Sequence, residues 1–307
     1  MKGTAMFMGP ANIVGKVETS FFIILGMCVV LLTIVTVAMV AFLILYNSRR
    51  NPRASEVRDN IPLEITWTII PTILVLIMFY YGWVDFKFIR TPPKDTFPVE
   101  VTARQWSWHF KYQNGKESDV LKVPVKKAVK LTMTSEDVIH SLFIPAFRVK
   151  EDCVPGMKTH LWFSAKNTGE YDIFCTEYCG LNHSHMLSKV VVMNDSDFNS
   201  WYQAKEKAPA TPEAKGMELL QSKGCLGCHT TDGTKKVGPT FKGLYGGKVT
   251  VMTGGRERAV TANDEYIEES IEHPKKDIVK GFPPVMPTIQ VTDEELKDIL
   301  AYLKTLK

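Results

Sequence analysis

The sequence predicts a multidomain chain in three parts: a two-helix transmembrane hairpin, an all-β barrel or sandwich, and a helical C-terminal domain. Three observations carry this reading. Two long apolar runs lie within the first 90 residues, and the first has no charged side chain from position 20 to 46. From residue 99 to about 193, apolar residues recur at every second position in short runs broken by Gly, Pro, Asn and Asp. After a proline-bearing stretch the pattern turns helical around Cys225-Leu-Gly-Cys228-His229. The boundaries that follow are 1–93 for the tail and hairpin, 94–203 for the β part, 204–211 for a linker and 212–307 for the last domain. With 307 residues there is length for two or three domains, and a net charge of +4 without a basic stripe is too mild to argue for a nucleic-acid partner.

As a helix, residues 20–46 would extend about 40 Å, enough to cross a bilayer with some tilt. A cleaved signal peptide would have a shorter apolar region ending at a small-residue site. The second helix, about 64–89 with its most apolar part at 65–83, contains Pro71. A membrane helix tolerates proline because neighbouring groups re-satisfy the freed carbonyl. The connection carries Arg49, Arg50, Arg53 and Arg58 against Glu56 and Asp59, whereas the N-terminal tail has only Lys2 and Lys16 as basic side chains. The positive-inside rule therefore places the connection in the cytoplasm, and both termini with everything after about residue 90 outside. Tyr80, Tyr81 and Trp83 fall where an aromatic belt belongs. Glu64 opens the second helix, where the helix dipole favours a carboxylate.

In the β part, Val99, Val101 and Ala103 share one parity and Trp106, Trp108, Phe110 and Tyr112 the other, which predicts a bulge near Arg104-Gln105. Further strands are expected at 129–133, 138–144, 160–163, 171–174 and 189–193. Asp195 is expected to cap a short amphipathic helix bearing Phe198, Trp201 and Tyr202. The following linker is stiffened by its prolines. Of six cysteines, two lie in one dense loop and two in Cys225-x-x-Cys228, leaving Cys28 in the membrane run and Cys153 alone. No disulfide framework is expected.

The dense loop is Cys175-Thr-Glu-Tyr-Cys-Gly-Leu-Asn-His-Ser-His-Met186. Thiolate, imidazole and thioether together select copper over magnesium, calcium or manganese. The cysteine spacing by itself leaves zinc open, but a thioether is a poor zinc ligand, so Met186 shifts the balance to copper. His183 and His185 compete as the imidazole of this loop.

Cys225-Leu-Gly-Cys228-His229 is the pattern for covalent haem attachment: two thiols form thioethers and the adjacent imidazole sits under the iron. A helix is expected before it at 213–222. Another follows Thr292, with Glu295 completing a capping box and Leu296, Ile299, Leu300 and Leu303 on one face. Met286, in Gly-Phe-Pro-Pro-Val-Met-Pro-Thr, is the favoured second axial ligand. Met217, on the upstream helix, and Met252, in a Gly-rich loop, are the alternatives. His/Met ligation keeps a haem potential high.

The run from His140 to Gly156, then Gly169-Glu-Tyr-Asp-Ile-Phe-Cys175 and the loop to Met186, resembles subunit II of cytochrome c oxidase, and the likeness covers about residues 15–205. Residues 212–307 resemble a class I cytochrome c. The first resemblance implies a cupredoxin-like Greek-key barrel holding a dinuclear copper centre, CuA. Cys175 and Cys179 would bridge the two coppers, His140 and His183 would each bind one, and Met186 and the Glu177 carbonyl would be weak further ligands. It also implies a magnesium ion at the boundary with subunit I, reached by the Glu177 side chain. Trp106, in Gln-Trp-Ser-Trp, is similar to a family Trp that lies on the surface above the coppers and admits electrons. Glu64, in Glu-Ile-Thr-Trp-Thr-Ile-Ile-Pro71, is similar to a Glu at the mouth of a proton uptake channel. Asp152 matches the Asp of an Asp-x-x-Pro-Gly turn near the catalytic subunit, but Met157 stands where the family commonly has Arg. The second resemblance implies an all-α cytochrome c domain.

Joined, the two imply the electron-input subunit of a terminal oxidase in a bacterial plasma membrane. Electrons would come from an external donor such as a cytochrome or a quinol-cytochrome c reductase. They would pass through haem c and the copper pair to subunit I, the oxygen-reducing, proton-pumping chain, which sits among other oxidase subunits. Tethering the haem raises its effective concentration at the copper. An alternative puts the same module in a nitric oxide reductase or another terminal reductase. A membrane copper chaperone or sensor is a further alternative, but it has no use for the haem motif.

Overall fold

The computed structural model describes residues 9–53, 59–204 and 211–307. Helices α1 (Val14–Leu45) and α2 (Ile61–Arg90) are 32 and 30 residues long, and nothing in the most apolar window of either is buried within the chain. Exposed Leu, Ile, Val and Phe on all sides are what a bilayer accepts and water does not. Both helices start earlier than the apolar runs alone suggest. In α1 the added turn and a half (about six residues) carries Lys16 and Glu18, whose charges are matched. Lys16 Nζ lies 3.7 Å from Asp85, Ser20 donates to the same carboxylate at 2.6 Å, and Arg148 lies 3.2 Å from Glu18. Asn60 caps α2 by accepting from the Leu63 N–H at 3.2 Å, with Pro62 in the first turn. Lys2, Glu56, Arg58 and linker positions 205–210 lie outside the described residues.

Ten strands follow: β1 (Phe97–Arg104), β2 (Ser107–Tyr112), β3 (Glu117–Ser118), β4 (Leu121–Pro124), β5 (Ala128–Ser135), β6 (His140–Ile144), β7 (Val149–Cys153), β8 (Thr159–Ser164), β9 (Gly169–Cys175) and β10 (Leu187–Met193). They form two five-stranded sheets, ordered β3-β2-β1-β5-β8 and β4-β10-β9-β6-β7. The pairs β1–β5 and β4–β10 are parallel and the other pairs antiparallel. Alternate side chains, among them Val99, Val101, Trp108, Phe110, Leu131 and Ile144, meet in a buried core between the sheets. The parity switch seen in the sequence comes from a tight hairpin and not from a bulge. Arg104 pairs with Ser107, and Gln105-Trp106 make the turn, which lifts Trp106 out of both strands to the hairpin tip. Strands β3, β4 and β7 escape a reading by periodicity because they are short or, in Val-Lys-Glu-Asp-Cys, mostly polar.

The chain just before α1 adds itself to the barrel. The Asn12 N–H donates to the Ser164 carbonyl at 3.0 Å, the Lys166 N–H donates to the Pro10 carbonyl at 2.7 Å, and Ala11, Ile13 and Val14 are buried in the barrel core. Phe88 of α2 packs edge-on against Trp162 of β8, and Arg90 pairs with Glu151 of β7. These contacts fix the barrel on the membrane hairpin. After β10, α3 (Asp195–Gln203) is capped by Asn194, whose side chain accepts from the Asp197 N–H at 2.9 Å; Asp195 is the first helical residue and not the cap.

The last part comprises α4 (Pro212–Ser222), α5 (Cys225–Cys228), β11 (Lys248–Thr253), β12 (Arg256–Thr261), α6 (Asp264–Glu272), β13 (Asp277–Val279) and α7 (Asp293–Leu303). The capping box of α7 is formed, and Leu296, Ile299, Leu300 and Leu303 are buried with Leu220 of α4 and Ile267 of α6. Helices α4 and α7 cross at Gly216, where a Cβ would stand 2.1 Å from the Asp298 carbonyl oxygen, so only glycine permits the approach. The helical core also carries a small sheet, ordered β12-β11-β13, which places Met252 in a strand and leaves Gly254-Gly255 as the hairpin turn. Its strands gave no apolar period because β12 is almost wholly exposed.

Candidate functional site

One end of the barrel gathers the soft donors. Cys175 ends β9, His140 begins β6, and Met186 leads into β10. The loop closes on itself because the Cys175 N–H donates to the Met186 carbonyl at 3.2 Å. The two thiol sulfurs are 3.7 Å apart. His140 Nδ1 lies 3.9 Å from Cys175 Sγ, and one ligand atom from each of His140, Cys175 and Cys179 falls within a 4.8 Å group. His183 Nδ1 is 3.4 Å and Met186 Sδ 3.9 Å from Cys179 Sγ, and the Glu177 carbonyl oxygen is 3.3 Å from Cys175 Sγ. His185 is exposed and turns to Ser184 instead. Cys175, Cys179, His140 and Met186 are all buried. Two thiols this close, with imidazoles on either side and a thioether behind, fit two soft metal ions sharing both sulfurs.

Electrostatics favour a thiolate at Cys175. Burial pushes that thiol up, but hydrogen bonds from His140, from the backbone at Ser141 and Glu177, and from Cys179 outweigh it and bring Cys175 down to about 6. Cys179 goes the other way, to about 12, under burial and the charge on Cys175. A bound metal ion would deprotonate both outright. Cys153, opposite His140 in the β6–β7 register, is held up at about 12 by burial and stays a packing thiol.

A second layer, which the sequence reading did not single out, organises these donors. Asp137 Oδ1 lies 2.8 Å from His140 Nε2, while its Oδ2 accepts from the Gln105 N–H at 2.7 Å. A carboxylate on the far nitrogen of a ligating imidazole fixes its tautomer and orientation. At the tip of the β1–β2 hairpin, Gln105 Nε2 and Trp106 Nε1 both donate to the Cys179 carbonyl, at 2.7 and 3.1 Å. Trp106 is only 5% exposed, so it is not the surface residue that the resemblance suggested. The indole packs against the metal loop, where a Cβ on Gly180 would be 3.2 Å from Trp106 Cζ2, and the residue's backbone meets the haem-attachment turn, where a Cβ on Gly227 would be 3.4 Å from the Trp106 nitrogen. Asp137 stands three residues ahead of His140, and that spacing was the available clue.

Cys225, Cys228 and His229 line a cavity of about 710 Å³ that Phe282, Val285 and Met286 also line. Met217 and Met252 do not line it. His229 Nδ1 donates to the Pro239 carbonyl at 2.7 Å, its ring stacks on Phe241 with centroids 4.5 Å apart, and burial lowers the imidazole's pKa. Nε2 is thereby left with a free lone pair. Gly238 gives the ring its room, since a Cβ there would lie 2.6 Å from His229 Cε1. A large, mainly apolar cavity lined by two thiols, an imidazole and a thioether fits a haem.

Glu64 sits exposed in the first turn of α2, 26 residues and about 39 Å of helix before Arg90, remote from both clusters. The Glu177 side chain is exposed. Asp152 accepts from Ser141 at 2.6 Å and pairs with Lys150 at 3.0 Å, and Met157 is exposed.

Residues 9–82 match the family model of the cytochrome c oxidase subunit II transmembrane domain, residues 116–194 that of the subunit II periplasmic domain, and residues 213–307 that of cytochrome c. Cytochrome c oxidase subunit 2 of Alkalihalophilus pseudofirmus is 31% identical over 302 residues, spanning 92% of this chain and 86% of that protein. The chain belongs to the cytochrome c oxidase subunit 2 family. Subunit 2 of Cereibacter sphaeroides is 30% identical, over 63% of this chain and 81% of that one. The crystal structure of the periplasmic domain of subunit II of cytochrome oxidase from Bradyrhizobium japonicum is 33% identical, covers 36% of this chain and 94% of that one, and has a TM-score of 0.35. As a cytochrome c oxidase subunit 2, this chain is one subunit of a larger oxidase, is anchored by its two N-terminal helices, and carries an appended cytochrome c domain.

Proposed function

We propose that this chain is the electron-input subunit of a membrane terminal oxidase, passing electrons from a covalently bound haem c to a dinuclear copper centre and on to the oxygen-reducing, proton-pumping subunit. The parts are a hairpin through residue 93, a copper domain at 94–203, a linker and a haem domain from 212, with both termini and both cofactor domains outside the cytoplasm. When bound, haem and copper supply the one-electron chemistry; the chain holds and insulates them. Cys175 and Cys179 would hold the copper as thiolates, with His140 and His183 as imidazole ligands and Met186 and the Glu177 carbonyl as weak ones. Cys225 and Cys228 would attach the haem, and His229 and Met286 would ligate its iron. Burial of both bridging thiols excludes water, which keeps reorganisation small.

The observation that carries the reading is Trp106. Its Nε1 donates to the Cys179 carbonyl while its backbone meets Gly227, inside the haem attachment motif. One residue thus meets the bridging-thiol residue through its indole and the haem loop through its backbone. In this reading Glu64, at the opposite end of α2, would serve proton uptake by the catalytic subunit, and exposed Glu177 would share a magnesium ion with it. Electron paramagnetic resonance of the purified chain tests the core of this reading. One unpaired electron delocalised over two equivalent coppers is expected, and a mononuclear or silent copper would overturn it. Oxygen consumption by the co-purified complex then identifies the final acceptor.

A further inference from the structure

The haem-attachment end of the chain is seated on the copper end of the barrel by a few directed contacts. Arg104, the last residue of β1, donates from Nη2 to the carbonyl of Ser222, the last residue of α4, and holds Glu136 of its own domain at 3.3 Å through Nη1. The end of a helix presents carbonyls without intrahelical partners and a partial negative charge, and a guanidinium answers both. Gly224 follows with φ +75°, and a Cβ there would stand 3.0 Å from Arg104 Nε and 3.2 Å from Ser107 Oγ, so the domains meet at the backbone. From the metal loop, Asn182 donates its Nδ2 to the Gly227 carbonyl at 3.3 Å. Asn182 is the neighbour of His183, one of the donors of the soft cluster.

We infer that Arg104 and Asn182 form a two-point latch that holds the haem domain over Trp106, reserving the copper face for the chain's own haem. A soluble protein donor then meets the haem domain and not Trp106. A tether alone would bring the haem domain near but leave it to search for its orientation. Bonds to two backbone carbonyls, at Ser222 and Gly227, set that orientation in advance. Arg104 is 19% exposed, so salt screens its contact little. The functional consequence rests on the electron-input reading above; the latch itself does not.

The test uses the intact, metal-loaded chain and two readouts. Amide hydrogen exchange at residues 222–228 reports the latch without reference to redox chemistry. Arg104→Ala and Asn182→Ala should each raise exchange there several-fold, and Arg104→Lys should restore part of the protection. Photoreduction of the haem by an external reductant, followed at the copper absorption band, reports transfer in which one electron leaves the haem iron and reduces the copper pair by one. In the native chain its rate should be insensitive to salt and viscosity. In the double variant it should fall at least tenfold and become viscosity-dependent, with haem and copper spectra unchanged. Exchange and transfer both unchanged in the double variant would overturn the latch. Altered exchange in a chain lacking the bimetallic copper spectrum would leave the latch standing and overturn the electron-input reading instead.

Discussion

Asp137 offers the sharpest check on the metal cluster, because one carboxylate serves both the buried imidazole and the hairpin. Its Oδ1 is 2.8 Å from His140 Nε2 and its Oδ2 accepts from the Gln105 N–H at 2.7 Å, while His140 is fully buried. Asp137→Ala removes the partner of a buried ring N–H and of a backbone N–H, and water has no ready access to replace it at the ring. Losing the outer partner of a ligating imidazole typically lowers metal affinity 10- to 100-fold, which is about 1.4–2.8 kcal/mol. Asp137→Asn keeps an acceptor oxygen of the same shape and should lose less. The assay is competition of the copper-loaded chain against a chelator of known affinity, with the copper resonance spectrum recorded alongside. Equal copper affinity in native and Asp137→Ala chains, with an unchanged spectrum, would refute the claim that His140 is a ligand oriented by Asp137.

Two other outcomes are expected. Met286→Leu should abolish the sulfur-to-iron charge-transfer band while leaving the haem covalently attached; a persisting band would move the axial role to another methionine. Asp119 and Glu117 flank the His109 imidazole, 3.7 and 3.1 Å from its two ring nitrogens, and raise its pKa above the ordinary 6.5, Asp119 first. A raised folded pKa means the added stability is full below about 6.5 and lost as pH rises through the folded value. The melting-temperature gap between native and His109→Gln chains should therefore be largest near pH 6 and vanish near pH 9; a gap that grows with pH would contradict it.

The donor set was legible in the sequence because chemistry, not geometry, announces it. Few folds put two cysteines, a histidine and a methionine within a dozen residues without using them, and Cys225-x-x-Cys-His229 is as direct. The capping box at Thr292 and the apolar face of α7 were equally plain, since capping and helical period are local properties. What eluded the sequence was decided across long separations. Trp106 reads as a strand residue until the Arg104–Ser107 pairing makes it a hairpin tip. The resemblance puts it on the surface, yet it is buried where the distant Gly180 turn meets its indole and the still more distant Gly227 meets its backbone. The polar edge of the helical domain hid β11–β13 for a different reason: strands that bury little leave no alternating record of their faces.

The segment ahead of α1 has a consequence for how the chain can be handled by proteases. Residues 10–12 satisfy the edge of β8 and its continuation, with Ser164 accepting from and donating to Asn12, and Lys166 donating to Pro10. A maturation cut before Pro10 leaves that seam intact. A cut beyond Val14 would strip the seam, uncover the Ser164 and Lys166 amides and open the hydrophobic interior beside Ala165, so any trimming of the leading end is bounded by the barrel's own edge.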